Sequence, residues 1–566
     1  MVADLNRENH SFSIGLGWGR LANNKNFSNP LNLISSKFER RIDYDYGLGG
    51  NLSFKRWFTG KPSIFGSYST DSKIFKNLKY FIEYDSTNYE FLPKSLASIN
   101  PSKREKKHDF NYGIIKSLSK NFDFGLGIIN GNNISLNMNY KFNVSGANSS
   151  ARGSLEVKKD SIYSKTQDSF FKNSLKRFNR EGVFIQSIEV KNKSLIIYVS
   201  QDEYRNLKNL NLRSYEILSD DYYFDENFDL LTIVNTNNGL ELSQISLSVD
   251  SYKFYAESNV DSLLLRDASI TRDEDFLKGN KQFIPRLILP VNTFNIAPAI
   301  KSHIGTPDNF YLGGLYLDLK FNSIITRKLS IETLVSKKVY DDFNKKTSKP
   351  DSALPHVRTD IVEYLQQSNF FISRLQLDYV DSINKNIFFK LSGGILEDMY
   401  NGFGGEVIYM PFESNAAIGF ELFDVVKRDF ARRFKKLDYK TTTGHFNFYY
   451  NFNNLDIDLK ISIGRYLAKD KGYTVDIARY FNSGAKFGAY FTRTNIPASL
   501  FGEGSFDKGL YFQIPFRLFQ KNSGAFRDFN YSYKPLTRDG GQKVSVGKDL
   551  WGLLHLGRKD FLIRSF

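Results

Sequence analysis

Residues 445–452 read His-Phe-Asn-Phe-Tyr-Tyr-Asn-Phe, and this stretch decides the fold class. Its even-numbered positions are all aromatic, whereas its odd-numbered positions carry an imidazole, two amides and one tyrosine. Successive side chains of a β-strand point to opposite faces of the sheet. A period of two therefore predicts a strand with one apolar face and one polar face.

The same alternation recurs along the chain, with clear examples at residues 12–18, 134–142 and 510–518. The longer runs have about ten residues, the length of a tilted strand that crosses a bilayer. In such a strand the apolar face contacts lipid and the polar face lines the interior. The predicted fold class is mainly β, with transmembrane antiparallel β-barrels.

The composition excludes several other classes of protein. The chain has 566 residues, 15% aromatic and 24% charged, and its mean hydropathy is −0.39. Disordered chains are poor in aromatics, and no run of about 18 apolar residues predicts a transmembrane helix. Because cysteine is absent, a disulfide scaffold or a thiolate zinc protein is excluded. The aromatic content instead fits the girdles of a membrane barrel.

Lysine and arginine number 77 against 61 aspartates and glutamates, a net charge of +16. Such an excess invites an interpretation as a nucleic-acid-binding protein. The only tight basic cluster, at residues 103–108, lies between two strand-like runs and is typical of a loop. We therefore favour a lysine- and asparagine-rich composition with charges on solvated turns, and we expect no nucleic-acid partner.

Connections from residue 385 onward alternate in length. The tight ones cover residues 411–415, 451–454 and 481–485, and the longer ones cover 426–439, 466–472 and 494–508. Short turns at one end and long loops at the other are typical of an outer-membrane barrel, whose closure leaves no unpaired edge in lipid. The chain ends in Phe566, with Phe561 on the same expected strand, which resembles the signal that barrel assembly machinery reads.

The pattern changes along the chain and predicts five regions. We expect the latter part of a first β-barrel at residues 1–145, with about seven strands. A linker follows at 146–168, then a small α+β periplasmic domain at 169–252 and an irregular connection at 253–299. Residues 300–566 predict a second β-barrel of about 12–14 strands. Residues 1–10 lack the apolar core of a signal peptide.

Several segments resemble the YjbH-type exopolysaccharide biosynthesis proteins. The strongest blocks are residues 464–471 (GRYLAKDK), 502–509 (GEGSFDKG) and 535–542 (PLTRDGGQ). Shorter matches occur at residues 15–20 (GLGWGR), 305–310 (GTPDNF), 354–358 (LPHVR), 393–397 (GGILE), 404–407 (GGEV) and 444–445 (GH). The matches run in order through most of the chain.

The resemblance implies an outer-membrane protein of a Gram-negative bacterium, encoded with capsule or exopolysaccharide genes. It implies two tandem barrel regions joined by a small periplasmic domain. Members of the family carry a signal peptide and further strands ahead of the GLGWG segment, so we expect an upstream piece to be missing and the first barrel to be incomplete. The implied partners are the outer-membrane bilayer, an exopolysaccharide or capsular polysaccharide, and other proteins of the export operon.

Charged residues of the second barrel and its longer loops are the candidate contacts to polysaccharide at the lumen or rim. They are Arg358, Glu363, Glu397, Glu406, Arg465, Asp470, Asp476, Arg479, Glu503, Asp507 and Arg538. We place Arg358 and Glu363 in one strand. Paired carboxylates can hydrolyse glycosidic bonds, but lumen-facing charges are ordinary in barrels, so we predict no catalytic residue. The six histidines are scattered, and we predict no metal and no cofactor.

Three functions remain open from the sequence. The first is a non-enzymatic outer-membrane protein that assists export or assembly of an exopolysaccharide or capsule. The second is an enzyme acting on the polymer through carboxylates at the barrel rim. The third is a passive porin or adhesin whose charge favours anionic solutes or acidic glycans. The resemblance favours the first.

Overall fold

The computed structural model describes most of the chain, in two compact units: residues 1–143 and 144–566. The described residues are 2–7, 9–19, 27–40, 57–87, 106–141, 163–201, 203–204, 207–258, 266–272, 281–286, 289–304, 311–346, 352–481, 483–501, 505–515, 528–534 and 538–564. Strands dominate the described residues. No helix among them is both long enough and apolar enough to cross a membrane.

The first unit is one antiparallel sheet in which each strand pairs with the next along the chain. Its strands are β1 (Val2–Arg7), β2 (His10–Gly17), β3 (Ser63–Asp71), β4 (Leu78–Tyr84), β5 (Phe110–Ser117), β6 (Phe122–Ile129) and β7 (Asn133–Tyr140). Seven strands match the number of strand-like runs predicted here. Among the described residues the sheet is open, with β1 and β7 at its edges.

A small α+β region begins the second unit. Its helices are α1 (Gln167–Arg180), α2 (Leu207–Ser219), α3 (Tyr222–Asn227) and α4 (Val249–Ser258). Its strands are β8 (Val183–Lys191), β9 (Ser194–Gln201), β10 (Leu230–Asn237), β11 (Leu240–Ser248) and β12 (Ser269–Thr271). The sheet order is β12-β11-β10-β9-β8, with β9 and β10 parallel. Phe170, Phe171 and Phe178 on α1 are buried in the core of this region and hold the helix against the sheet.

The connection predicted to be irregular at residues 253–299 contains regular structure. Helix α4 continues to Ser258, strand β12 lies at Ser269–Thr271, and the next strand begins at Val291. Val249 and Tyr252 pack in the core of the small region and hold α4 there. A helix this short has a weak sequence signal, because most of its stability comes from packing. Most of the predicted linker, at residues 146–162, lies outside the described residues.

The rest of the second unit is dominated by a thirteen-stranded antiparallel sheet, the large sheet, in which consecutive strands pair. Its strands are β13 (Val291–Ile304), β14 (Tyr311–Ile324), β15 (Leu329–Asp341), β16 (Phe370–Asn384), β17 (Ile387–Ile395), β18 (Tyr400–Tyr409), β19 (Ala416–Arg428), β20 (Lys436–Phe452), β21 (Ile457–Arg465), β22 (Lys471–Tyr480), β23 (Lys486–Thr494), β24 (Asp507–Pro515) and β25 (Asp528–Tyr533). The helices after the small region are α5 (Ile361–Gln367), α6 (Ala498–Phe501), α7 (Leu550–Leu554) and α8 (Lys559–Arg564).

The two faces of the large sheet have opposite character. On β20, Phe446 is 51% exposed, whereas its neighbour His445 is 2% exposed. Val407, Phe420, Phe446 and Ile463 are successive cross-strand partners on β18 to β21, and all four are exposed. The alternation predicted from residues 445–452 is therefore confirmed, with the apolar face outward and the polar face buried.

The connections of the large sheet differ between its two ends. At the long-loop end, residues 342–369 and 495–506 join consecutive strands, whereas residues 385–386 and 453–456 suffice at the opposite, short-turn end. The contrast predicted from the sequence holds for these connections. The 396–399 and 466–470 connections at the long-loop end are nevertheless short, and twelve residues separate β24 from β25 at the short-turn end. These ends fix the direction in which the chain's last segment runs.

The C-terminal residues do not form the predicted terminal strand. The last described strand, β25, ends at Tyr533, and Phe561 lies in helix α8. Phe566 lies outside the described residues. Leu550, Leu553 and Leu554 of α7 are buried against the large sheet and β11. Their spacing places them on one helical face, which a strand would divide between two sides.

Candidate functional site

The buried face of the large sheet, here called the polar face, carries an unusual number of hydrogen-bonding and charged side chains. Its buried polar members are Gln376, Lys390, Ser392, Glu406, Thr441, Thr443, His445, Asn447, Asn451, Ser462 and Thr492. Burying such groups is costly unless each finds a hydrogen-bonding partner. Gln376, Lys390 and Glu406 find their partners in the chain's own C-terminal segment.

Residues 538–549, here called the covering segment, run along the polar face from the long-loop end towards the short-turn end. Side chains of the sheet and its loops donate to the segment's backbone carbonyls. Arg358 Nη2 lies 2.6 Å from the Lys543 oxygen, and Gln376 Nε2 lies 3.0 Å from the Val546 oxygen. Lys390 Nζ donates to the Lys548 oxygen over 2.7 Å. These contacts recognise main-chain groups rather than particular side chains.

Carboxylates of the wall accept from backbone N–H groups of the same stretch. Asp470 Oδ2 lies 2.8 Å from Gly541 N, and Glu397 Oε2 lies 3.2 Å from Ser545 N. Both oxygens of Glu406 lie 3.2 Å from Leu550 N, where α7 begins. Donors and acceptors are thus distributed along the whole length of the covering segment.

Asp470 lies in the turn between β21 and β22. Burial raises the pKa of its carboxyl and outweighs the hydrogen bond from Gly541, which lowers it. The environment of Asp470 therefore penalises the charged carboxylate, and the N–H donor of Gly541 partly offsets this penalty.

A charge cluster occupies the middle of the polar face. Lys543 of the covering segment lies 3.2 Å from Glu421, and His445 Nδ1 lies 2.8 Å from the same carboxylate oxygen. Lys460 reaches Asp549 over 3.8 Å. Each pair joins one strand residue to the segment or to a neighbouring strand, so the cluster neutralises charges that would be costly to bury alone.

The long-loop end holds the covering segment through a second set of ionic contacts. The two Arg358 nitrogens lie 2.8 and 3.1 Å from the Glu397 oxygens, a bidentate pair. Asp539 accepts from Arg358 N over 2.7 Å and from the Thr359 hydroxyl over 2.8 Å. Lys534, just ahead of the segment, lies 2.9 Å from Asp507. Bidentate arginine–carboxylate pairs are geometrically specific, so this end is fixed in orientation.

Helices α7 and α8, here called the anchor, follow the covering segment and are held differently. Leu550, Leu553 and Leu554 are nearly inaccessible to solvent, and Trp551 stacks on Tyr449 with ring centroids 4.0 Å apart. Fully burying a leucine contributes about 1.5–3 kcal/mol, whereas a hydrogen bond contributes only about 0.5–1.5 kcal/mol net. The anchor is therefore the more firmly held part.

Arg272 ties the anchor, the small α+β region and the short-turn end together. Its guanidinium donates to the carbonyl oxygens of Leu242 (2.8 Å), Gly557 (3.0 Å) and Met410 (3.2 Å). It also lies over the Phe412 ring, 4.9 Å from the centroid. Burial lowers the pKa of Arg272 to about 10, which leaves it charged at neutral pH.

The structure brings some of the predicted contact residues together. Arg358, Glu397, Glu406 and Asp470 all contact the covering segment or the start of α7. Asp507 begins β24 and pairs with Lys534. These five come from three loops and two strands.

The other predicted residues are placed elsewhere. The prediction of a strand for Arg358 and Glu363 is wrong, because Arg358 precedes α5 and Glu363 lies within it. Buried Val362, Tyr364 and Leu365 fix this helix. Asp476 accepts from the Tyr511 hydroxyl over 2.6 Å on the polar face.

Arg479, three residues on, is exposed near the Phe481 ring and lies on the opposite face from Asp476. Arg465 ends β21, and Arg538 begins the covering segment. Glu503 lies outside the described residues. The charge cluster described above includes neither Arg465 nor Arg538.

Sequence reasoning missed several central residues. Lys390, Glu421 and Lys460 are strand residues that lie at polar-face positions, and Lys543 lies on the covering segment. A usable signal existed, because Glu421 stands between Phe420 and Leu422. The alternation of this strand places its charge on the inward, polar face. Among the described residues, no group of three or more metal-ligating side chains is placed to hold an ion.

Comparison with known proteins identifies the family. The model of the family described as exopolysaccharide biosynthesis protein YbjH (YjbH) matches residues 1–555. The chain is also 31% identical over 561 residues to the uncharacterized lipoprotein YjbH of Escherichia coli strain K12, over 94% of this chain and 76% of the relative. The chain belongs to the YjbH family. The resemblance noted in the sequence is thereby confirmed.

Solved structures similar to this YjbH-family chain are outer-membrane proteins, at low similarity. Salmonella typhi OmpF in complex with daunomycin shares 12% identity, over 46% of this chain and 92% of its own, with a TM-score of 0.25. A loop-deletion variant of Vibrio cholerae OmpT shares 10%, over 39% and 87%, with a TM-score of 0.20. Scores this low decide neither the fold nor the function.

Proposed function

We propose that the chain is an outer-membrane protein whose large sheet forms a β-barrel, and that it assists export or assembly of an exopolysaccharide or capsule without catalysing a reaction. One observation carries the proposal: a continuous sheet of thirteen strands exposes its apolar face and buries its polar face. Soluble sheets have the reverse arrangement. Membership of the YjbH family supplies the link to exopolysaccharide.

The membrane part of the proposal follows from the exposed row Val407, Phe420, Phe446 and Ile463. Apolar patches of this extent are rare on soluble monomers, because water penalises them. A lipid bilayer removes the penalty, and a barrel keeps every backbone group paired inside it. Among the described residues, no helix is both long enough and apolar enough to span the bilayer.

The same orientation supports a periplasmic location for the small α+β region. Arg272 binds the Met410 carbonyl, which follows β18 at the short-turn end. Short turns of outer-membrane barrels face the periplasm. The small region would then lie on the periplasmic side of the barrel, where it can meet a polymer or an export protein before the membrane.

A non-enzymatic role is supported by how the carboxylates are engaged. Glu397 pairs with Arg358, and Glu421 lies beside Lys543 and His445. A general acid needs a free carboxyl beside the scissile bond, and a retaining or inverting pair needs open space between its two carboxyls. Here Glu397 and Glu421 are each engaged by a cation of the chain itself.

Deleting the gene and measuring surface polysaccharide tests the function. We expect the amount or chain length of the polymer to change, and the wild-type gene to restore it. Unchanged polymer would refute a role in export or assembly. Separating the membranes of cells that express the chain tests the location, since recovery in the soluble fraction would refute the barrel. Polymer shortened by the purified chain would refute the non-enzymatic role.

A further inference from the structure

We infer that the wall beneath the covering segment is a binding track for a hydroxyl-rich glycan, and that the segment occupies this track in the structure. The inference rests on the proposed function, because it assigns the polymer a position on the polar face. The track consists of the donors Arg358, Gln376 and Lys390 and the acceptors Asp470, Glu397 and Glu406.

The first argument is that the track recognises the backbone of the covering segment. All three donors bind carbonyl oxygens of the segment, Asp470 and Glu397 accept from its N–H groups, and Glu406 accepts from Leu550 N, where the anchor begins. Such contacts require a string of alternating donors and acceptors, whatever side chains it carries. Sugar hydroxyls both donate and accept, so a glycan chain can satisfy each of these wall groups in the segment's place.

The second argument is that a ligand can displace the covering segment from the wall. Between Asp539 and Asp549 it has no helix or strand, and Ser545, Gly547 and Lys548 are exposed. Val546 packs in an apolar cluster with Val357 and Leu396, and the other contacts of the segment described above are polar. A hydrated polymer replaces polar contacts with little net loss, because each bond broken is exchanged for another. The anchor, which buries Leu550, Leu553 and Leu554, has no such substitute.

The third argument concerns the charge of the ligand. The donors include two cations, Arg358 and Lys390, and the acceptors are three carboxylates that alternate with them along the wall. Glu421 also becomes available when Lys543 departs. A polyanion would gain three cationic partners, since Lys460 loses Asp549 when the segment departs, and would meet four carboxylates. The track therefore fits a neutral or weakly charged glycan better than a strongly acidic one.

The covering segment can be tested in the full chain because the protein has no cysteine of its own. Val546→Cys places one thiol in the covering segment at a position 8% exposed, and Leu554→Cys places one in the anchor at a position 0% exposed. Each purified variant, in detergent micelles, is treated with a maleimide with and without a partial acid hydrolysate of the producing cells' own exopolysaccharide.

The hydrolysate is expected to raise the labelling rate of Val546→Cys by about fivefold or more, because labelling follows the open population. The labelling rate of Leu554→Cys should not change. Protection of Val546→Cys in hydrolysate that binds the protein would overturn the inference, and so would equal acceleration of both variants, which indicates general unfolding. Absence of hydrolysate binding would overturn it as well.

Lys390→Met separates a binding role from a merely structural one. Loss of this donor should speed labelling in the Val546→Cys background without hydrolysate and also weaken hydrolysate binding. Faster labelling with unchanged binding would mean that Lys390 only holds the segment, which contradicts the track. The proposed function fails separately, by an unchanged polymer phenotype after gene deletion. A changed phenotype with no hydrolysate binding would leave the function standing and remove the track alone.

Discussion

Glu421 and His445 are direct cross-strand partners on β19 and β20, with Glu421 Oε1 2.8 Å from His445 Nδ1. One register position away, Phe420 and Phe446 are partners on the exposed face. The same two strands thus present a carboxylate–imidazole contact to the interior and an exposed aromatic pair to the outside. Glu406 and Lys390 extend the buried row across β18 and β17.

Removing the Glu421 carboxylate should loosen the covering segment and destabilise the large sheet. Glu421→Gln leaves Lys543 and its surroundings without the central anion, and we expect a loss of about 1–3 kcal/mol in the free energy of unfolding. Urea titration in detergent micelles measures it. Glu413, 70% exposed and paired with Lys559, provides the control. Glu413→Gln should change stability by less than about 0.5 kcal/mol, and equal losses would contradict a buried role for Glu421.

The outward aromatic pair gives a test of the membrane environment. If Phe446 faces lipid, Phe446→Lys should cost about 2–4 kcal/mol when the chain folds into vesicles, because a cation near the bilayer midplane is poorly solvated. Phe184 on β8 is equally exposed, at 50%, but belongs to the small region. Phe184→Lys should be almost neutral. A neutral Phe446→Lys variant would argue that this face meets water.

Strand periodicity was predictable because burial follows residue parity on strands such as β20, as at His445 and Phe446. The path of the covering segment was not predictable from the sequence. Side chains of the wall, far away in sequence, hold the segment in place, and no local pattern specifies it. Arg358 meets Lys543 across such a gap. Of the site, Arg358, Glu397 and Asp470 were found because their charges stood out in loops. Lys390 was missed because one lysine in an apolar strand carries a weak local signal.

The Glu189 carboxylate predicts how the small region responds to acid. Burial raises its pKa, but hydrogen bonds from Lys281 (2.7 Å) and Lys191 outweigh burial and leave the pKa below the ordinary 4.5. A depressed pKa contributes stability above about pH 4.5 that disappears as pH falls through the folded-state value. Hydrogen exchange of β8 and β9 amides against pH measures this.

Glu189→Gln should remove this part of the acid dependence and lower the protection of β8 and β9 at neutral pH. Glu226, exposed on α3, is the matched control. Glu226→Gln should show the same dependence of β8 and β9 amide protection on pH as the wild-type chain. A Glu189→Gln profile that still falls with the wild-type slope would assign the acid sensitivity to another carboxylate.

The hydrogen bonds of Arg272 predict that the small region stabilises the anchor. Arg272→Ala leaves the carbonyls of Leu242, Met410 and Gly557 without their donor in a buried position, and an unsatisfied buried group costs about 1–3 kcal/mol. The anchor should therefore open more often, which raises the maleimide labelling of Leu554→Cys. Arg272→Lys keeps the charge but not the planar fork, so it should rescue only part of the protection. Full protection in Arg272→Ala would show that apolar packing of α7 suffices without the guanidinium.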